Sequence, residues 1–234
     1  MPIGVTVSVL STLTGGLLGA ALGQKIPEKI KNGLRTGFPF CSFAIGITLI
    51  IRVSHLPAVA ISILLGILLG EALNINDRII KASETINSRL TKIMKREEDN
   101  SIKEIVSLMF LVCLSGTGIF GALNEAIRGE HSFLFAKAAL DLFSTAIFAS
   151  TMGYFVALLF LPQAAVYTFL ILLAPLLYPV LSGPAYGDFS ATTGIISLVA
   201  GFNLLRLKEI KVMNFLPAMI LIIPISSLWS SVFP

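Results

Sequence analysis

The sequence predicts an all-α membrane protein, a polytopic transmembrane helix bundle of about eight spans with seven as the alternative. Three observations carry that expectation. Only 13% of the 234 residues are charged, where a soluble domain would carry about 25%. Hydrophobic residues make up 55% and the mean hydropathy is +0.89. Uncharged runs of roughly 18 to 25 residues recur along the chain, the length that a bilayer core about 30 Å thick asks of one helix. These runs are continuous rather than alternating, which argues against a β-barrel. Residues 1–234 read as a single membrane domain, with 74–104 as a hydrophilic connector between spans three and four.

Taken in order, the first run covers 3–23 and holds Gly15, Gly19 and Gly23, a small-xxx-small pattern that lets another helix approach closely. It follows Met1-Pro2 with no charged n-region, which predicts a retained first span with an outer N-terminus. A basic loop follows, and span two, about 36–51, contains Pro39, which removes one backbone hydrogen bond. Span three, about 56–73, carries the pair Gly66 and Gly70. In 74–104, Ile75, Ile79, Ala82, Ile86, Leu90 and Ile93 recur at helical steps opposite Lys81, Glu84, Lys92 and Lys95. This predicts an amphipathic helix on the membrane surface or paired with its own copy; a solvated connector is the alternative.

Span four, about 105–123, includes Ser115-Gly116-Thr117-Gly118, which permits tight packing (the expected reading) or a local helix break. Span five runs from 133 to 161, which is about 43 Å at 1.5 Å per residue and longer than the bilayer needs. Span six, about 163–181, has Pro175 and Pro179; span seven, about 190–205, has Thr192, Thr193 and Asn203; span eight covers 214–233. Short echoes at Thr14-Gly15, Thr117-Gly118 and Thr193-Gly194 suggest inverted three-helix repeats.

The formal charge of +4 points to loop asymmetry rather than to nucleic acid. With an outer N-terminus, the inner loops hold Lys25, Lys29, Lys31 and Arg35, seven residues from Arg78 to Lys103, then Arg206, Lys208 and Lys211, so 14 of the 17 basic residues lie on one side. This predicts a bacterial-type inner membrane, with loops 24–35, 74–104 and 206–212 in the cytoplasm. Cys41 and Cys113 are unpaired in spacing, so neither a disulfide nor a metal site is expected. No cofactor is implied.

Lys137 and Asp141 lie four apart on one helix face, as an ion pair requires. They read either as a substrate or proton site facing a cavity, or as a structural pair at the outer interface. Asn124 and Glu125, with Arg128 a turn later, either close the helix end or line an outer vestibule with that pair. Ser115, Thr117, Thr192 and Asn203 complete the candidate site with uncharged donors and acceptors. Enzyme signatures are missing, both histidines fall in outer loops, and Asp141 reads as the only acid near a span interior, so no enzyme is expected.

The opening Gly15-Gly16-Leu17-Leu18-Gly19, the block GALNEAIRGEHSFLFAKAALD, and the runs SATTGIISLVAGFNLL and NFLPA occur in this order over nearly the full chain. In these features the chain resembles the domain-of-unknown-function 554 family, YqgA/YdfK-type bacterial membrane proteins. The resemblance implies no activity. It implies polar positions at Asn124, Glu125, Lys137, Asp141, Asn203 and Asn214, with two departures: Ser8 where an Asn is expected, and Thr168 where a Gln is expected in span six.

The functional expectation is an inner-membrane transporter or channel for a small solute or ion, with its polar site between spans four, five and seven. The alternative is a non-catalytic module that dimerises and docks a partner through 74–104. Expected partners are the lipid bilayer, a small solute or ion, and a second copy, since the glycine faces suit a homodimer.

Overall fold

The computed structural model describes residues 2–81, 112–205 and 210–233, and every regular element among them is helical. The helices are α1 (Ile3–Leu22), α2 (Glu28–Ile50), α3 (Leu56–Ala72), α4 (Gly116–Arg128), α5 (Ser132–Met152), α6 (Phe160–Leu177), α7 (Pro184–Leu204) and α8 (Leu216–Val232). Tight 3-10 turns, Tyr154–Leu159 and Val212–Phe215, lead into α6 and α8. A short helix, Ile75–Lys81, follows α3 at a 48° bend. By length and apolarity five helices can cross a bilayer, or six if the bent pair counts as one span.

α4 and α7 fall outside that set, and their surroundings explain why. The 13 residues of α4 reach only about 20 Å, and α7 holds Asp188 and a run of serine and threonine. Both are enclosed: nine residues of α4 and thirteen of α7 are buried. α4 packs on α1, α5, α6 and α7, while α7 packs on α2, α3, α4 and α8. Polar side chains are tolerated on these two helices because they meet protein rather than hydrocarbon. Phe120 of α4 sits edge-on to Phe133 of α5 at 5.2 Å and stacks at 6.1 Å on Phe189 of α7, tying the central pair to its shell.

Glycine sets the outer helix pairs. Side chains at Gly15 and Gly19 of α1 would strike the carbonyl oxygens of Leu142 and Ala146 on α5. Gly46 of α2 and Gly194 of α7 face each other in the same way, and Gly66 and Gly70 of α3 abut Ala218 and Asn214. The glycine faces of α1 and α3 are therefore occupied within one protomer, and a dimer would need other surfaces. The three echoed motifs occupy unlike settings: Gly15 meets α5, Gly118 meets Lys137 and Tyr167, and Gly194 meets α2.

Several element boundaries differ from expectation. The single span over 133–161 is two pieces. α5 stops at Gly153, whose φ of 82° and ψ of −166° form a backbone state open mainly to glycine, and the chain turns there. Span six consequently begins near Tyr154, so Gln163 lies inside it rather than at its edge. α2 begins at Glu28 and absorbs most of the supposed basic loop, while α7 begins at Pro184 and takes Asp188 into a helix. An interruption lies at Leu114 and Ser115, and 116–118 form the first turn of α4: Ser115 is non-helical, and its side chain caps α4 by accepting from Gly118 N–H at 3.3 Å. Of the amphipathic segment 74–104, only the start through Lys81 is described; 82–104 lie outside the described residues, as do 105–111 of span four and 206–209.

Helix directions bring the starts of α1, α3, α5 and α7 and the ends of α2 and α4 to one end of the molecule, as side-chain bonds among them show. The opposite end carries Lys211, which approaches Glu71 at 3.5 Å and Asp77 at 3.8 Å. There Asn214 accepts Asn76 N–H at 2.9 Å.

Candidate functional site

The buried site starts from the i,i+4 spacing on α5. Lys137 Nζ donates to Asp141 Oδ2 at 2.6 Å, with side chains only 5% and 7% exposed. A buried charge is held only where partners repay its lost hydration, and two further helices supply them. Gln163 Nε2 of α6 donates to Asp141 Oδ2 at 2.9 Å, and Ser8 Oγ of α1 reaches the same oxygen at 3.5 Å. Gln163 Nε2 also lies 3.3 Å from Ser8 Oγ. The pair is thus enclosed by protein, tying α1, α5 and α6 together.

The broken start of α4 borders this cluster. Gly118 has no room for a side chain because Tyr167 Oη and Lys137 Cε lie against it. On the other flank Thr117 Oγ1 bonds Ser197 Oγ of α7 at 2.9 Å, and Gly116 faces Thr193 and Ile196. Two buried polar atoms beside this cluster, Gln163 Oε1 and Tyr167 Oη, have no hydrogen-bond partner among the described residues, nor does Thr192 Oγ1 elsewhere on α7. Each such vacancy costs about 1–3 kcal/mol.

A second polar region closes the end of the molecule where α1 and α3 begin. Glu125 Oε1 accepts Gly4 N–H at 2.6 Å and Oε2 accepts Val5 N–H at 2.8 Å, capping α1; the His131 ring bonds Oε1 as well. Asp188 repeats the arrangement on α3. Its Oδ1 accepts Ser54 N–H at 2.9 Å and His55 N–H at 2.6 Å, while Oδ2 meets His55 Nδ1 at 2.9 Å and Ser226 Oγ at 2.6 Å. A carboxylate at a helix start answers both the orphan N–H groups and the positive end of the helix dipole.

Between these caps runs a chain of contacts. Tyr186 Oη donates to Asn124 Oδ1, Arg52 bonds Tyr186 Oη at 3.2 Å and Glu130 at 3.3 Å, and Asn124 Nδ2 reaches Glu130 Oε2 at 3.2 Å. The Arg128 guanidinium sits 3.5 Å from the centre of the Tyr186 ring. Burial alone would raise the Glu130 carboxyl, but the Asn124 amide and the Arg52 guanidinium outweigh it and hold Glu130 below the usual carboxylate range.

The expected site residues therefore divide. Lys137, Asp141, Ser115 and Thr117 meet around the start of α4. Thr192 is fully buried on α7. Asn124 and Glu125 belong to the end layer, and Asn203 is engaged elsewhere, accepting Ile210 N–H at 3.1 Å. Asp141 is not the only acid in the interior: Glu125 is 4% exposed and Asp188 0%. The histidines, expected in outer loops, each pair with one of these acids.

Sequence reasoning missed Gln163, Tyr167, Asp188, His55 and Tyr186 as members of these networks. Gln163 was masked by the assumed span boundary, although Gly153 marks the true turn. Asp188 was masked by a glycine- and proline-rich stretch, although Pro184 is a helix-start residue followed by an apolar run. Among the described residues, no cluster of His, Cys, Asp and Glu has the arrangement to hold a metal ion.

The pattern of the family described as "Protein of unknown function (DUF554)" matches residues 3–227. An "Uncharacterized protein YqgA" of Escherichia coli (strain K12) is 36% identical over 238 residues, covering 100% of both chains. An "Uncharacterized membrane protein YdfK" of Bacillus subtilis (strain 168) is 23% identical over 228 residues, covering 93% of each. No solved structure matches.

Proposed function

The chain belongs to the DUF554 family, and we propose that it is an inner-membrane transporter or channel for a small solute or ion. The observation that carries this reading is the buried Lys137–Asp141–Gln163–Ser8 network against a helix that breaks and restarts inside the bundle. A bundle held together by packing alone has no use for an ion pair there, because hydrophobic replacements of similar volume are as stable or more so. Broken helices bordering buried polar groups recur at the binding sites of secondary transporters. In this reading α1, α4, α5, α6 and α7 surround the solute, and the end layer around Asn124, Glu125 and Tyr186 frames its entrance. The basic end, with 24–35 and Lys211, faces the cytoplasm.

Flux from proteoliposomes loaded with a mixed pool of small anions, cations and neutral metabolites tests it. Export of at least one solute should exceed that of empty liposomes and fall at least about tenfold in Asp141→Asn and Lys137→Gln. Flux that survives both substitutions at the wild-type rate, in folded protein, sinks the proposal.

A further inference from the structure

We infer that the first turn of α4 is a binding site for a small monoanion of about the size of chloride, nitrate or formate, completed by Lys137 and Tyr167. This rests on the proposed transport site and names its substrate class.

The argument is a count of donors. A helix that starts inside the protein directs unpaired N–H groups and about half a positive charge out of its first turn. Ser115 Oγ takes the N–H of Gly118, and that of Ile119 goes to the Ser115 carbonyl at 3.1 Å, which leaves Gly116 and Thr117 at the tip. Glycine at 118 draws Lys137 and Tyr167 against this turn, because any side chain would displace Tyr167 Oη and Lys137 Cε. Tyr167 is completely buried, and its hydroxyl, which lies against Gly118, has no hydrogen-bond partner among the described residues. Lys137 Nζ, 6.0 Å from the centre of the Tyr167 ring, uses one of its three donors on Asp141. The donors that converge on the tip are the Gly116 and Thr117 amides, Tyr167 Oη and the Lys137 ammonium. Asp141 Oδ2 already receives Lys137, Gln163 and Ser8, and the positive end of the helix dipole disfavours a cation at the tip.

The same geometry couples the anion to a proton. Lys137 is shared between Asp141 and the site, with Tyr167 and Cys113 the other titratable groups that face the pair, so an arriving anion competes with the carboxylate for the ammonium. A proton on Asp141 removes that competition, and linkage requires the anion to favour protonated Asp141 by the same factor. Anion affinity should accordingly rise as pH falls in the wild type. In Asp141→Asn it should be tighter than in the wild type at neutral pH and independent of pH.

The experiment is thermal unfolding of purified full-length protein in lipid nanodiscs. Sodium chloride, nitrate and formate are titrated against sodium gluconate at fixed ionic strength, and sodium is exchanged for choline in a parallel series. A small anion should raise the apparent Tm in a saturable way that gluconate does not reproduce. Tyr167→Phe should weaken the apparent affinity about tenfold or more, since a hydrogen bond to a charged group is lost. Equal shifts with gluconate, or an unchanged affinity in Tyr167→Phe, overturn the anion site, and a buried water then satisfies Tyr167. A stabilising cation or neutral metabolite whose effect is lost in Asp141→Asn overturns the anion while leaving the transport site intact. A small-anion shift that depends on Tyr167, in protein that carries no flux, upholds the anion site and removes the transport reading. Should Tyr167→Phe fail to fold, the pH response of wild type against Asp141→Asn decides: identical slopes overturn the proposal.

Discussion

The two polar regions use the same residue types and end in opposite states. In the end layer, Glu125 and Asp188 each place both carboxylate oxygens on backbone N–H groups or neighbouring side chains that also fix a histidine. In the interior, the Lys137–Asp141 pair is bonded, yet Gln163 Oε1 and Tyr167 Oη beside it have no partner among the described residues. A saturated carboxylate holds helices in place; in the proposed transport reading, the unpaired donors and acceptors of the interior cluster are the groups that meet the solute. Burial of charge therefore does not by itself distinguish structure from function here.

The largest expected effect lies in the saturated layer. Asp188→Ala removes the acceptor of the half-buried N–H groups of Ser54 and His55 and the partner of buried Ser226, which should cost roughly 3 kcal/mol of stability in a denaturant titration of detergent-solubilised protein. Replacing His55 as well should not restore it, because the backbone donors remain unpaired. A loss below about 1 kcal/mol would mean that the end layer is not structural.

The interior pair should respond differently. Lys137→Met leaves Asp141 charged and buried and should cost roughly 3 kcal/mol, whereas Lys137→Met with Asp141→Leu should return to within about 1 kcal/mol of wild type while losing all flux. A double variant as unstable as the single one would erase the distinction between the regions.

The smallest effect sharpens the comparison from the solvent side. The folded carboxyl of Glu130 titrates below its unfolded value, so its contribution is present above the unfolded pKa of about 4.3 and lost as pH falls through the folded one. With its side chain 36% exposed, solvent screens the Arg52 contact and the effect is slight. The Tm difference between wild type and Glu130→Gln should shrink as pH falls below about 4.3; a difference that grows on acidification reverses the assigned sign.

Residue pattern and spacing were enough for the membrane class, the run of helices and the Lys137–Asp141 pair, because apolar length and i,i+4 spacing are local properties of a chain in a bilayer. The same local view placed the polar residues Asn124 and Glu125 without their partners. Gly4 N–H and Glu125 are 121 positions apart, and Ser54 N–H and Asp188 are 134 apart. No pattern along the chain encodes such meetings, and backbone donors leave no signature in a sequence at all.

The breaks at Ser115 and Gly153 depended on context in a different way. Small residues permit both a continuous helix and an interruption, and which one forms follows from what neighbouring helices offer the freed backbone. The sequence alone thus determined that this is a helical membrane protein with ionisable groups to house. Only the tertiary structure decided which of those groups are saturated by distant helix ends and which are left open around α4, since hydrogen-bond satisfaction depends on three-dimensional neighbours rather than on order along the chain.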